Sequence, residues 1–223
     1  ETGDIRTDAD NLLRLYNTIY YKAGWRAAFE SGQTKADTFT AADGSERRGD
    51  FMHLTETGGV LRGEGYTAAP RRLKYGRMVF VLSDEGVTPE SLLARDGFLA
   101  ELTGEYDFVD VVWSVPKFDV ESSVDLKDVL KALGVTDAFD ENKADFTPLT
   151  DNGAVVDSVM QAARVKVDEE GVEAAAYTEV EAAAGDPMPR ELPEEEMDLD
   201  RPFLFAIWKD GVPLFVGTVQ TLA

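Results

Sequence analysis

The stretch Asp168–Gly185, DEEGVEAAAYTEVEAAAG, carries two signals at once. Its Ala and Glu content favours a helix. Yet Val172, Ala174, Ala176, Thr178 and Val180 alternate with Glu173, Ala175, Tyr177, Glu179 and Glu181, small or apolar residues against larger or charged ones. Alternation at period two is the pattern of a half-buried strand. One segment thus combines helical composition with strand periodicity.

The flanking sequence is strand-rich. Leu12–Lys22, rich in Leu, Ile and Tyr, predicts a long buried strand that ends at Gly24-Trp25. Residues 36–57 predict short strands and turns, and Gly58–Gly65 a glycine-rich connection. Arg77–Leu82 predicts a second buried strand, followed by a helix start at Thr88-Pro89 and an apolar stripe through Leu92, Leu93, Leu99 and Leu102. Phe108–Phe118 alternates, Asp125–Leu133 predicts a short helix stopped by Gly134, and Val155–Val167 a further strand. Phe203–Trp208 and Leu214–Val219 predict a terminal hairpin. Strands dominate with helices interspersed, so the expected class is α+β.

Composition narrows the function. The 22 basic against 43 acidic side chains give a net charge of −21 over 223 residues. Such a surface repels phosphate backbones and anionic membranes, so neither nucleic acid nor membrane is an expected partner. No apolar run approaches the ~18 residues of a membrane span. There are 0 cysteines, which excludes disulfides, thiol catalysis and cysteine-ligated zinc.

Catalytic chemistry is sparse. His53 is the 1 histidine and has no nucleophile-elbow motif beside it, so it reads as a packed or edge residue. Gly63-Glu64-Gly65 lacks the third glycine and the helix of a phosphate loop and reads as a turn. Arg71, Arg72, Lys74 and Arg77, with Tyr75, form a basic patch that reads as a solvated strand face. Glu194, Glu195, Glu196, Asp198 and Asp200 lack the order of a calcium loop and read as loose solvated charge. No cofactor or metal is expected, and an enzyme is disfavoured.

The hinge-like run Glu169-Glu170-Gly171-Val172-Glu173-Ala174-Ala175-Ala176 resembles the Glu-Glu-Gly-Thr-Glu-Ala-Ala-Ala proximal hinge of the serpins, protease inhibitors that act by a conformational trap. Other blocks resemble the family in the same order. Asn17-Thr18-Ile19-Tyr20-Tyr21-Lys22, with Trp25 and Phe29 at matching spacing, is similar to the strand Asn-Ala-Ile-Tyr-Phe-Lys-Gly-x-Trp-x-x-x-Phe. Val115-Pro116-Lys117-Phe118 and Asp125-Leu126-Lys127 resemble its Pro-Lys-Phe and Asp-Leu-Lys segments. Arg201-Pro202-Phe203-Leu204-Phe205 and Leu214-Phe215-Val216-Gly217 resemble the terminal strands.

The resemblance implies a serpin fold spanning residues 1–223, with residues 168–200 as reactive-centre loop and following segment and 201–223 as the C-terminal hairpin. It implies an inhibitor of serine proteases that serves as a suicide substrate: the cleaved loop inserts as a strand into the main sheet and carries the acylated protease away. Inward residues must then be small, as Val172, Ala174, Ala176, Thr178 and Val180 are. The inserted strand is expected between Leu12–Lys22 and Val155–Val167. Glu169 is expected to pair with Lys117, Trp25 to sit where insertion begins, and Asn17 to face Gln161 at the shutter, where the family often has histidine. Family spacing places the cleaved bond among Ala183, Ala184, Gly185 and Asp186, which suits an elastase- or subtilisin-like target. Counting back from Pro202 gives Arg190–Glu191 instead, which suits a trypsin-like one.

The resemblance starts near Asn17, so the fold is expected to be incomplete, roughly the C-terminal three-fifths, without the preceding helices and two strands of the main sheet. A companion N-terminal part is expected, in cis or as a separate chain, unless the sequence is a truncation. The protein is expected to be bacterial in type and secreted or at the cell surface. The competing readings are a serpin-fold binding or structural protein that is cut without trapping, and an inactive fragment.

Overall fold

The computed structural model describes residues 12–150, 153–172 and 192–222. In chain order its strands and helices are β1 (Leu12–Ile19), β2 (Ala23–Gly24), β3 (Lys35–Thr40), β4 (Glu46–Gly63), β5 (Tyr66–Leu73), β6 (Gly76–Ser83), α1 (Pro89–Leu93) and α2 (Phe98–Glu101). There follow β7 (Asp107–Pro116), β8 (Phe118–Asp125), α3 (Lys127–Ala132), β9 (Val155–Val167), β10 (Gly171–Val172), β11 (Glu194–Asp198), β12 (Phe203–Lys209) and β13 (Val212–Val219). The class is α+β, as the strand-rich pattern predicts. The chain divides into a smaller unit, Glu1–Tyr20 with Glu121–Arg164, and a larger one, Tyr21–Val120 with Val165–Ala223.

The larger unit is built on an eight-stranded sheet in the order β11-β7-β4-β5-β6-β12-β13, with β3 paired to β4. Its core is aromatic. Phe80 packs edge-on against Trp113 and Phe203, and Phe118 packs against Phe203 and Phe205. α1 starts where the sequence predicts: Thr88 Oγ1 accepts the Ser91 N–H, and Pro89 occupies the first turn. Leu92, Phe98 and Leu102 from the helical segment then close over Tyr66, Val79, Val81 and Trp208. β12 and β13 form the predicted terminal hairpin, turning at Asp210-Gly211 with positive φ at both.

In the smaller unit β1 runs parallel to β9, from Leu12↔Val155 to Ile19↔Ala163. Arg14 Nε donates to Asp157 across this pair at 3.2 Å. α3 follows Leu126, whose N–H donates to Val159 O at 2.8 Å.

Three expectations change. Residues 46–63 are one 18-residue strand rather than short strands and a connection. Its glycines serve packing: a Cβ on Gly59 would lie 2.7 Å from Tyr106 Cβ, and one on Gly58 3.3 Å from Val111 Cγ2. The strand β1 forms but is not buried; Leu15 is 49% and Tyr16 62% exposed. Composition marks a strand, whereas burial depends on what covers it. Finally, Glu194–Asp198 is not loose charge but strand β11, parallel to β7. Met197 is fully buried there, and Glu195 pairs with Arg62, which offsets the acidity that hides the strand in the sequence.

Candidate functional site

The hinge residues that the structure describes pair with β2 and with Val167 at the end of β9, in the larger unit. Asp168 starts the turn: its Oδ1 accepts the N–H of Glu170 at 3.0 Å and of Gly171 at 3.3 Å, and its own N–H donates to Gly171 O at 3.0 Å. This tight turn redirects the chain after β9. Gly171 and Val172 then pair antiparallel with Gly24 and Ala23 on one side, while Val172 pairs with Val167 on the other. β10 is therefore a two-residue strand held between two neighbours.

Only glycine fits at the entry. Gly171 has φ 151°, and a Cβ there would lie 2.6 Å from Gly24 Cα and 2.9 Å from Trp25 N, with Ala23 O closer still. All three are backbone atoms, so no side-chain rotation relieves the clash. Val172, the next residue, is 1% exposed.

Trp25 anchors the turn from below. Its backbone N–H donates to Glu170 O at 2.8 Å and its indole Nε1–H to Asp168 O at 2.9 Å. The Phe29 N–H donates to Glu169 O at 2.9 Å. Three successive carbonyls, those of residues 168–170, are thus all taken by the segment 25–29. The indole is fully buried and meets Phe29 edge-on, ring centroids 6.0 Å apart.

Glu169 carries the charge of the site. Its Oε2 lies 2.9 Å from Lys117 Nζ, and its Oε1 accepts the Thr34 hydroxyl at 2.9 Å. Partial burial alone would raise the Glu169 carboxyl, but the hydrogen bonds from Lys117, its own backbone and Thr34, with the Lys117 charge, bring it below the usual carboxylate range. The same hydrogen bond to Glu169, aided by the surrounding carboxylates, raises Lys117 against a smaller opposing effect of burial.

A buried arginine completes the group. Arg71 is 1% exposed, and its guanidinium carbon lies 3.6 Å from the Phe29 ring centroid and 4.6 Å from that of Trp25. Nε donates to Glu56 Oε1 at 3.0 Å and Nη2 to Ala27 O at 2.6 Å, while Nη1 has no partner among the described residues. Burial lowers its pKa to about 10, opposed by Glu56. The basic patch is therefore not uniformly a solvated face. At Arg71 the strand alternation turns the cation inward, where Glu56 and two rings receive it.

The expected pairing of Glu169 with Lys117 is present, and Trp25 lies at the point where β10 enters the sheet. Asn17 and Gln161 are register partners on β1 and β9 in the smaller unit, and no side-chain hydrogen bond joins them among the described residues. Leu12–Ile19 pairs directly with residues 155–163, and the strand beside Val167 is Gly171–Val172; the loop residues expected to insert beyond Val172 lie outside the described residues. Glu173, Ala174, Ala175, Ala176, Ala183, Ala184, Gly185, Asp186, Arg190 and Glu191 lie outside the described residues. Sequence reading missed Thr34, Arg71 and the turn-forming role of Asp168. Only the last has a local signal, an Asp placed three residues before a glycine.

Among the described residues the charged groups of this arrangement are paired, Glu169 with Lys117 and Arg71 with Glu56. Among the described residues no group of three potential ligands could hold a metal. What it holds is a two-residue strand paired on both sides.

The family model described as "Serpin (serine protease inhibitor)" matches residues 3–222. The chain is 31% identical to Serpin-Z1C of Triticum aestivum over 230 residues, 95% of this chain and 56% of that protein. It is likewise 31% identical to human glia-derived nexin, covering 93% of this chain and 54% of that one. The crystal structure of the thermophilic serpin tengpin in its native state superposes with a TM-score of 0.81 at 27% identity, over 98% of this chain and 58% of tengpin. The chain therefore spans little more than half the length of the relatives that it matches. Matched along almost all of its own length, the chain belongs to the serpin family.

Proposed function

We propose that the protein acts as a suicide substrate for serine proteases, and that this chain supplies the hinge, reactive loop and terminal strands of that inhibitor. Protease inhibition is the general property that the family carries. The observation that favours trapping over simple binding is the seating of Gly171–Val172 between Val167 and Ala23–Gly24. A strand that has begun to add can extend once its far end is cut, and Ala174 and Ala176 at the next inward positions of the sequence obstruct nothing.

In this reading the cut falls within Ala183–Asp186 and the target is elastase- or subtilisin-like, with Arg190–Glu191 and a trypsin-like target as the alternative. The protein is secreted or exposed at the cell surface, where such proteases act. It works with the N-terminal part of the serpin fold, in cis or as a companion chain, and with neither nucleic acid nor membrane. A bacterial source belongs to the same proposal, although the plant and human relatives lend it no support.

The test is incubation of the full-length protein with elastase and, separately, with trypsin. An SDS-stable complex with one of them is expected, together with a released fragment whose mass locates the bond. Cleavage by both, with no complex and no gain in thermal stability, refutes the proposal.

A further inference from the structure

Residues 26–30 belong to no strand or helix, yet this stretch and Trp25 hold the hinge. The N–H groups of Trp25 and Phe29 donate to Glu170 O and Glu169 O, and the Trp25 indole N–H to Asp168 O. A stretch with no ladder of its own opens easily unless other contacts fix it. β5 supplies them. Arg26 N–H donates to Arg72 O at 3.0 Å, Lys74 N–H donates to Gly24 O at 2.9 Å, and Trp25 bridges Leu73. One residue further the fastening passes to a side chain: Arg71 Nη2 donates to Ala27 O at 2.6 Å, and its guanidinium carbon lies 3.6 Å from the Phe29 ring centroid.

We propose that Arg71 is a positioning residue of the hinge: by clamping Ala27 and Phe29 it keeps the Trp25 and Phe29 amides on the carbonyls of Glu170 and Glu169, so that insertion of the cleaved loop starts from a seated hinge. The clamp stands by itself; its consequence for inhibition rests on the trapping reading.

The chemistry requires arginine. Nε donates to Glu56 Oε1 at 3.0 Å, Nη2 to Ala27 O, and the guanidinium also meets the rings of Phe29 and Trp25, the latter at 4.6 Å. A planar fork serves these partners at once, whereas a lysine ammonium is a single point charge on a flexible stem. At 1% exposure, water competes little for these bonds.

Arg71 lies behind the hinge, at the buried side of Trp25 and Phe29. It therefore acts after recognition. Once the loop is cut, insertion competes with hydrolysis of the acyl bond, and a loosened hinge delays insertion alone. Association should keep its rate while the share of protease trapped falls.

The test uses the full-length protein with Arg71→Lys and Arg71→Met. Amide exchange at Trp25 and Phe29 should quicken about tenfold or more in both, since a charge-assisted bond to a carbonyl is lost. Leu204 and Ile207 in β12 should keep the parent's rates. With the protease that the parent traps, the association rate should not change. The inhibitor consumed per trapped protease should rise, up to about tenfold if the whole lost bond is felt in the insertion rate. Leu102→Ala, in the core cluster with Tyr66 and Trp208, controls for lost stability: it should lower Tm and leave the two amides at parent rates. Parent-like exchange in both Arg71 variants, or full rescue by lysine, overturns the proposal, as does loosened exchange with an unchanged trapped share. If the parent itself forms no complex, the trapping reading fails and exchange alone judges the clamp. Should neither Arg71 variant fold, Phe29→Leu removes the ring beside the guanidinium and should quicken the same two amides; parent rates there overturn the proposal as well.

Discussion

Replacing Gly171 with alanine tests whether the hinge seat depends on a bare backbone. In the native arrangement the new Cβ would lie 2.6 Å from Gly24 Cα and 2.9 Å from Trp25 N, at φ 151°. Keeping the seat would require conformational strain of about 1–3 kcal/mol, with a backbone collision added. Leaving it would expose Val172, worth about 1.5–3 kcal/mol when fully buried, and break hydrogen bonds worth about 1 kcal/mol each. Both routes give a loss of about 2–4 kcal/mol, or a Tm drop of about 5–15 °C for a protein of this size. Calorimetry measures the drop, and hydrogen exchange at the Trp25 and Phe29 amides distinguishes expulsion from strain. Gly44→Ala serves as the control, because Gly44 has φ 80° but no atom within 4 Å of its added Cβ. If Gly171→Ala costs no more than this control and both amides stay protected, the seat does not depend on close backbone approach and the reasoning fails.

Glu169→Gln should destabilise by about 1 kcal/mol near neutrality, a modest figure because Lys117 is 38% exposed and water screens the pair. The lowered carboxyl contributes stability above its unfolded pKa of about 4.3, lost as pH falls through the folded value; the raised Lys117 contributes below about 10.4, lost as pH rises through its folded value. The difference between parent and variant, followed by urea titration, should thus be level between those limits and shrink beyond them; a difference independent of pH would contradict the ion pair. Arg71→Met should cost about 3 kcal/mol, since it leaves Glu56 without its buried partner and removes the bond to Ala27 O; thermal unfolding would show it, and a variant as stable as the parent would mean that the arginine is dispensable. Val172→Glu would place a charge at a site only 1% exposed; under the proposed trapping mechanism the full-length variant should be cleaved without forming a complex, and a complex on gels equal to the parent's would contradict it.

What the sequence discloses here is local chemistry repeated in order. The Asp168–Val172 turn, the Thr88-Pro89 start of α1 and the hairpin of β12 and β13 all carry their signals within a few residues, and each stands in the structure. The failures are non-local. Gly58 and Gly59 look like a connection until Tyr106 and Val111, far along the chain, claim the space of their missing side chains. Glu194–Glu196 look like free charge until β7 and Arg62 arrive beside them. Arg71 and Arg72 are identical in sequence and opposite in fate, one buried on two rings and one exposed, because strand alternation decides between them and composition does not. At the candidate site, Glu169, Lys117 and Trp25 were legible through resemblance, whereas Thr34 was invisible because a hydroxyl in a loop has no pattern of its own.

The double pairing of Val172 has a kinetic meaning. β1 pairs with one edge of β9 from Val155 to Ala163, whereas Val172 is bonded on both flanks, to Val167 and to Ala23. Were the residues beyond Val172 to follow it, every forward step would exchange one ladder for two. Every backward step would then have to undo two at once. On the proposed insertion, the hydrogen bonds gained at each step would bias such a fork forward, and Val172 would be the residue from which it starts.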